Sequence, residues 1–202
     1  MIALDQANSV SGAGSLFNYP HAIAGADRLL VVVICYVPDQ NQEIAGVTYG
    51  GVPMIKYGDT QIRNAVFEEF WYMVAPPVGS ANINVELSAS AKTTVASASF
   101  TGVDQADPIY FRTNGVGDNV EAIPLMLDAR NGDMLFGFGA CSGTSESPIM
   151  PWQTSVWNVL QASNIRSQGI CSFPNFTAKV EVSNTIDPAA QWACDVVGVR
   201  AA

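Results

Sequence analysis

The sequence predicts an all-β chain: a single antiparallel β-sandwich, jelly-roll-like, with little helix. Three observations carry this. Turn signals such as "YGGVP", "APPVGSAN", "GVDQADP" and "ARNGD" punctuate the chain throughout, with β-branched and aromatic runs between them. No window of helical length keeps an i, i+3, i+4, i+7 apolar register without a Gly or Pro break. Several of the runs alternate apolar and polar residues with the period of two that one-sided burial of a strand imposes.

Taken in order, the first expected strand is Ser15–His21. Arg28–Val37 follows and holds the apolar run "LLVVVICYV". Glu43–Tyr49 and Val52–Tyr57 form a hairpin through Gly50-Gly51, because glycine takes φ > 0 freely at both central positions of a tight turn. Asn64–Ala75 carries "FWYMV" and stops at Pro76-Pro77, which bring no N–H to a ladder. Asn82–Ser88 and Thr93–Val103 come next, separated by a "SASAK" turn and closed by Gly102 and Asp104. Val120–Leu127, Asp133–Cys141, Thr154–Leu160, Ser167–Phe173, Thr177–Val182 and Gln191–Val199 complete the set. The segment Ser155 to Asn164 suits a short helical turn or a strand equally.

Alternation assigns faces. In "ANINVELS", Ile83, Val85 and Leu87 point inward. In "TVASASFTGV", Ala96, Ala98 and Phe100 share one face, and Ser97, Ser99 and Thr101 the wet one. In "QWACDVVGV", an outward Asp195 puts Trp192, Cys194 and Val196 toward the core. The runs Leu29–Val37 and Phe70–Val74 do not alternate. They predict central strands with both faces covered, either by the same chain or by a neighbouring subunit.

At 202 residues the chain fits one domain, 1–202, with a sizeable core. Charged residues make up only 13%, well below the roughly 25% usual for soluble domains, which points to surface that meets something other than water. The net charge of -9 repels phosphate backbones, so nucleic acid is not an expected partner. The start "MIALDQANSV" lacks the basic and apolar regions of a leader. The longest apolar run, nine residues, is half of what a membrane helix needs, about 18–20. These features predict a soluble product of a cytoplasm, with no membrane partner.

The four cysteines, Cys35, Cys141, Cys171 and Cys194, form no C-x-x-C pair, which argues against zinc. Buried free thiols and disulfides both fit them. The single histidine, His21, reads as structural or solvated. "GACSG" around Cys141 matches a thiol form of the nucleophile elbow, but Pro148 and Pro151 oppose the helix that an elbow needs. Asp104, Asp107, Asp118, Asp128 and Asp133 serve turn geometry. "NFT" at Asn175 is a sequon only in a secretory pathway. Trp71 and Trp192 read as core. Trp152 and Trp157 flank a long loop and form the alternative site, a sugar-stacking platform. No catalytic, cofactor-binding or metal-ligating set emerges.

"VTYGGVPM" at Val47–Met54, "EEFWYMVAPPVGSANINVELSASA" at Glu68–Ala91, "ASASFTGVDQADP" at Ala96–Pro108 and "AQWACDVVGVR" near the C-terminus occur in this order. Together they resemble a β-sandwich domain shared by tailed-phage virion proteins and secreted bacterial surface proteins. The segment from Tyr110 to Asn131 matches nothing in that pattern. The resemblance implies a fold and supplies no catalytic residue. The missing leader favours the phage side. The expected function is therefore a non-enzymatic structural protein of a virion, a capsid decoration or a tail- or collar-attached part. Its partners would be like subunits and other virion proteins. Val33, Tyr36, Phe70 and Tyr72, on the two apolar bands, are the expected assembly contacts. The alternative is a carbohydrate-binding or adhesion module, with a glycan as partner.

Overall fold

The computed structural model describes residues 1–37, 42–63, 66–118, 125–142, 153–161, 165–172, 178–182 and 191–202. Only the backbone is described for 61–63, 66, 111–112, 114–118, 125–129, 141–142, 161, 165, 178–182 and 191–192. Strand dominates the described residues, which contain no helix. Every strand pairing among the described residues is antiparallel.

The first sheet is organised by a long ribbon. β1 (Ala3–Ile23) runs antiparallel to β8 (Gly79–Thr101), from Ala3↔Thr101 to Gly14↔Ala91, then from Leu16↔Glu86 to Ile23↔Gly79. The register breaks between Gly14 and Leu16, and there the ribbon changes direction. Such a break bends and twists a strand pair. The other edge of β8 is shared by two strands. β2 (Leu29–Val37) pairs with its second half, and β3 (Ile44–Tyr49) with its first. β7 (Val66–Val74) pairs with β2. Short strands β4 (Val52–Pro53), β5 (Ile55–Lys56) and β6 (Gln61–Arg63) finish the edges.

The second sheet has the order β12–β13–β11–β15–β9: Gln153–Gln161, Ile165–Ser172, Met134–Ser142, Gln191–Val199 and Ile109–Asp118. β10 (Leu125–Ala129) and β14 (Ala178–Val182) form a separate pair.

Both faces of β2 are buried, and the same chain covers them. Val31, Val33 and Cys35, with Phe70, Ala96, Ala98 and Phe100, face the second sheet. There they meet Phe136, Phe138, Trp157, Cys171, Val197 and Val199 in an inter-sheet core. Phe136 is central to it, with ring centroids 5.4 Å from Phe138, 5.5 Å from Trp157 and 5.6 Å from Phe100. Leu30, Val32, Ile34 and Tyr36 face the other way. They pack with Met73 and Val95 against Phe17, Tyr19, Val47, Tyr49, Ile83 and Val85. This inner core forms because the first sheet curls until its two halves nearly close on each other. Each large apolar side chain so buried contributes about 1.5–3 kcal/mol relative to exposure.

The antiparallel β-sandwich is as the sequence predicts, with instructive differences in its elements. The first strand begins at Ala3 rather than Ser15, because a segment of small and polar residues, without a strong apolar alternation to mark it, still forms a backbone ladder with β8. The "SASAK" turn does not divide Asn82–Ser88 from Thr93–Val103, which belong to the single strand β8. β9 lies in the segment the resemblance left unmatched. Ser155 to Gln161 is strand. Ser97 and Ser99 are buried, not wet, since β8 is covered on both sides along its second half. Asp195 is buried as well. It pairs with Phe138 and so shares the inter-sheet face with Val197 and Val199. Cys194 and Val196 take the opposite face, which is also buried. The start of the expected strand Val120–Leu127 lies outside the described residues.

Three joints match their expected roles. Gly50 and Gly51 have φ of 58° and 82° in the β3–β4 turn. After β7, Ala75 adopts φ 48° before Pro76, and its N–H bonds Arg28 O at 2.9 Å. Gly102 has φ 70°, and a Cβ there would lie 2.3 Å from Met1 O, so only glycine lets the N-terminus pass.

Candidate functional site

The residues expected at a subunit contact are mostly interior. Val33 and Phe70 have no exposed surface and sit in the inter-sheet core; Tyr36 is 1% exposed and sits in the inner core. The expectation that these three meet a neighbour is therefore corrected, because the chain's own second sheet and folded-back ribbon cover them. Tyr72 is half-buried at the edge, where it pairs with Ile55 of β5, which is 54% exposed. Trp157 is also corrected. It is no platform: its indole packs in the inter-sheet core directly over Gly169, and its Nε1 donates to Ser167 Oγ at 3.1 Å. Trp152 and the Asn175 sequon lie outside the described residues, as do the side chains of Cys141 and Trp192. Trp71 is half-buried against the inner core.

Among the buried polar side chains, three groups stand out. Between the sheets, Cys35 Sγ lies 3.8 Å from Glu68 Oε2 and 3.5 Å from Ser167 Oγ. Burial, then the Glu68 charge, pushes the Cys35 thiol well above its ordinary range. Burial does the same to Cys171. A thiol kept protonated is a poor nucleophile. Cys35, Cys171 and Cys194 are buried and stand outside any disulfide, one of the two arrangements that the sequence allowed.

At the rim of the first sheet, Glu69 Oε1 accepts from Thr60 Oγ1 at 2.8 Å and pairs with Lys56 Nζ at 3.0 Å. Trp71 Nε1 donates to its Oε2 at 3.0 Å. Burial, then the charge of Glu69, raises the Tyr36 hydroxyl above its ordinary range.

The third group centres on His21, which has no exposed surface. Its Nδ1 lies 2.9 Å from Ser97 Oγ and its Nε2 3.1 Å from Ser99 Oγ. Ser99 Oγ donates to Asp5 Oδ2 at 2.9 Å. The carboxylate can only accept, so the single Ser99 hydrogen is committed to it. Nε2 of the neutral ring must then carry the ring hydrogen, and Nδ1 accepts from Ser97. Burial lowers the His21 pKa to about 4, against a smaller opposing effect of Asp5. His21 is thus structural, one of the two roles its sequence position suggested.

Asp104 plays the turn role expected of it. Its Oδ1 accepts from the N–H groups of Ala106 and Asp107 at 2.8 and 3.1 Å, which holds its carboxyl below the ordinary value. Asp133 is buried, and its Oδ1 accepts from Ala201 N at 3.0 Å, tying down the C-terminal strand. Among the described residues, no three His, Cys, Asp or Glu side chains converge to hold a metal. The sequence reading missed the partners of His21. The one available signal was the Ser97/Ser99 alternation, which reads equally well as a solvated face.

Comparison with protein-family models, with curated proteins and with solved structures found no match.

Proposed function

We propose that the chain is a non-enzymatic structural protein of a tailed-phage virion, a capsid decoration or a tail- or collar-attached part. One observation supports the reading. The segments that resemble virion β-sandwich proteins fall on core strands β7, β8 and β15 and on the joints that end strands: the Gly50-Gly51 turn, the stop after Val74 and the Gly102 passage. A resemblance carried by strands and joints speaks to architecture rather than to a reaction.

The contact surface must differ from the one read in the sequence, since Val33, Tyr36 and Phe70 are internal. The rim of the first sheet replaces them, where exposed Ile55 pairs with half-buried Tyr72 and Val52 is 53% exposed. Mass spectrometry of particles purified from the source lysate tests the reading: the protein is expected in them at defined stoichiometry. Its absence from the particles overturns the function. Its presence, with undiminished association of an Ile55→Asp variant, overturns only the assigned contact.

A further inference from the structure

We infer that the folded-back part of the first sheet (the second half of β1, the first half of β8, and β3) is a flap whose edge is held by a polar latch centred on His21, and that a proton on the imidazole opens this seam. The inference stands apart from the virion reading.

The seam is built from side chains, not from strand pairing. Past the register break at Gly14, the second half of β1 pairs, among the described residues, with β8 on one side only. Its other edge would present open backbone groups. Three side chains from the first half of β1 fill them. Asp5 Oδ2 accepts from Ala24 N at 3.0 Å, Gln6 Oε1 accepts from Ala22 N at 3.1 Å, and Asn8 Nδ2 donates to Pro20 O at 2.8 Å. His21 stands among them and reaches across to Ser97 and Ser99 on the second half of β8. Tyr49 of β3 donates its hydroxyl to His21 O at 3.1 Å and to Gly79 O at 3.2 Å. The chain crosses to the flap at an exposed bend, through Ser15 on β1 and Ser88 to Ser90 on β8.

The titratable groups at the ring are Asp5 from the first half of β1, Tyr19 from its second half and Tyr49 from β3; β8 contributes only the Ser97 and Ser99 hydroxyls. A proton on Nδ1 reverses the Ser97 bond. Ser97 must then turn its hydrogen to Asn8 O, 3.3 Å away, and the seam holds a buried cation. The ring is neutral when the seam is shut and returns to an ordinary imidazole when it opens. Opening therefore takes up a proton, and acid favours it. From well above pH 6.5 to well below pH 4 the opening equilibrium should rise by up to about 300-fold, the factor that this displacement implies.

Amide hydrogen exchange of the full chain by NMR reads the seam directly, because Ala22 and Ala24 donate to seam side chains while Ile83 and Val85 lie within the flap. With intrinsic rates corrected for pH, Ala22 and Ala24 should lose protection at least tenfold from pH 6.5 to 4 and should at every pH be less protected than Ile83 and Val85, which need a larger opening. In His21→Gln this acid step should vanish with flap protection retained. Asp5→Asn, which keeps an acceptor for Ala24 and removes the charge that favours the imidazolium, should extend the step to lower pH. The inference is overturned if seam and flap amides share one protection factor across this range. It is also overturned if His21→Gln responds to acid as the wild type does or, where only Asp5→Asn folds, if its step ends at the same pH as the wild type's.

Discussion

The two cores that flank β2 are built on different terms. The inter-sheet core joins two separate sheets and is filled by rings: Phe70, Phe100, Phe136, Phe138 and Trp157. Phe70 and Phe138 stack with centroids 5.0 Å apart at 14°. The inner core joins one sheet to itself. It is filled mainly by aliphatic and tyrosine side chains, with Phe17, Met54 and Met73, and is bordered by the His21 seam. The first core is apolar apart from Asp195 and the Cys35–Glu68–Ser167 group, and dispersion and burial hold it. The second couples apolar burial to a hydrogen-bonded border that responds to pH. A strand with apolar side chains on both faces can therefore be covered in two ways within one chain, and neither needs a neighbour.

This contrast can be broken or sharpened by substitution. The largest effect should come from Phe136→Ala, which empties the centre of the inter-sheet core. A loss of about 3–5 kcal/mol in urea-unfolding stability is expected, and a loss under 1 kcal/mol would mean that the rings do not carry this core. Acidification should come next. The folded-state pKa of His21 lies below its ordinary value, so its contribution is present above pH 6.5 and is lost as pH falls toward about 4. The loss amounts to at most about 3 kcal/mol. Stability measured across this range should fall by more in the wild type than in His21→Gln.

Gly169→Ala should cost about 1–3 kcal/mol by overpacking, since a Cβ there would sit 2.7 Å from the Trp157 indole. Thermal unfolding compared with Trp157→Phe, which leaves room, would separate this clash from a general loss. Tyr49→Phe removes the hydroxyl shared by His21 O and Gly79 O, and about 1 kcal/mol should go with it. The smallest change, and the one of opposite sign, is Ala75→Gly. Relief of φ 48° at a non-glycine residue should stabilise the chain by under about 1 kcal/mol.

The sequence discloses the parts of this fold that local chemistry decides. The Gly50-Gly51 turn, the stop at Pro76 and the inward Ile83, Val85 and Leu87 are all legible, because turn geometry and period-two burial act on neighbouring residues. The covers of β2 are not. Whether Leu30 meets water, a subunit or Phe17 depends on a bend at Gly14 whose direction no local pattern sets. The same long-range bend brings Ser97 against His21, residues 76 apart in the chain, and so hides the seam from any local reading. Asp195 misled for a related reason: a charged residue in an apolar strand marks the wet face only when the strand has one.

The central claim is that the chain itself covers both faces of β2. Peptide-resolved alkylation at a concentration where light scattering finds monomers tests it most directly, using native Cys35 for the inter-sheet face and an Ile34→Cys variant for the inner one. Both thiols should stay unmodified until denaturant is added. Rapid modification of Ile34→Cys in the folded monomer would contradict the account and return that face to the surface.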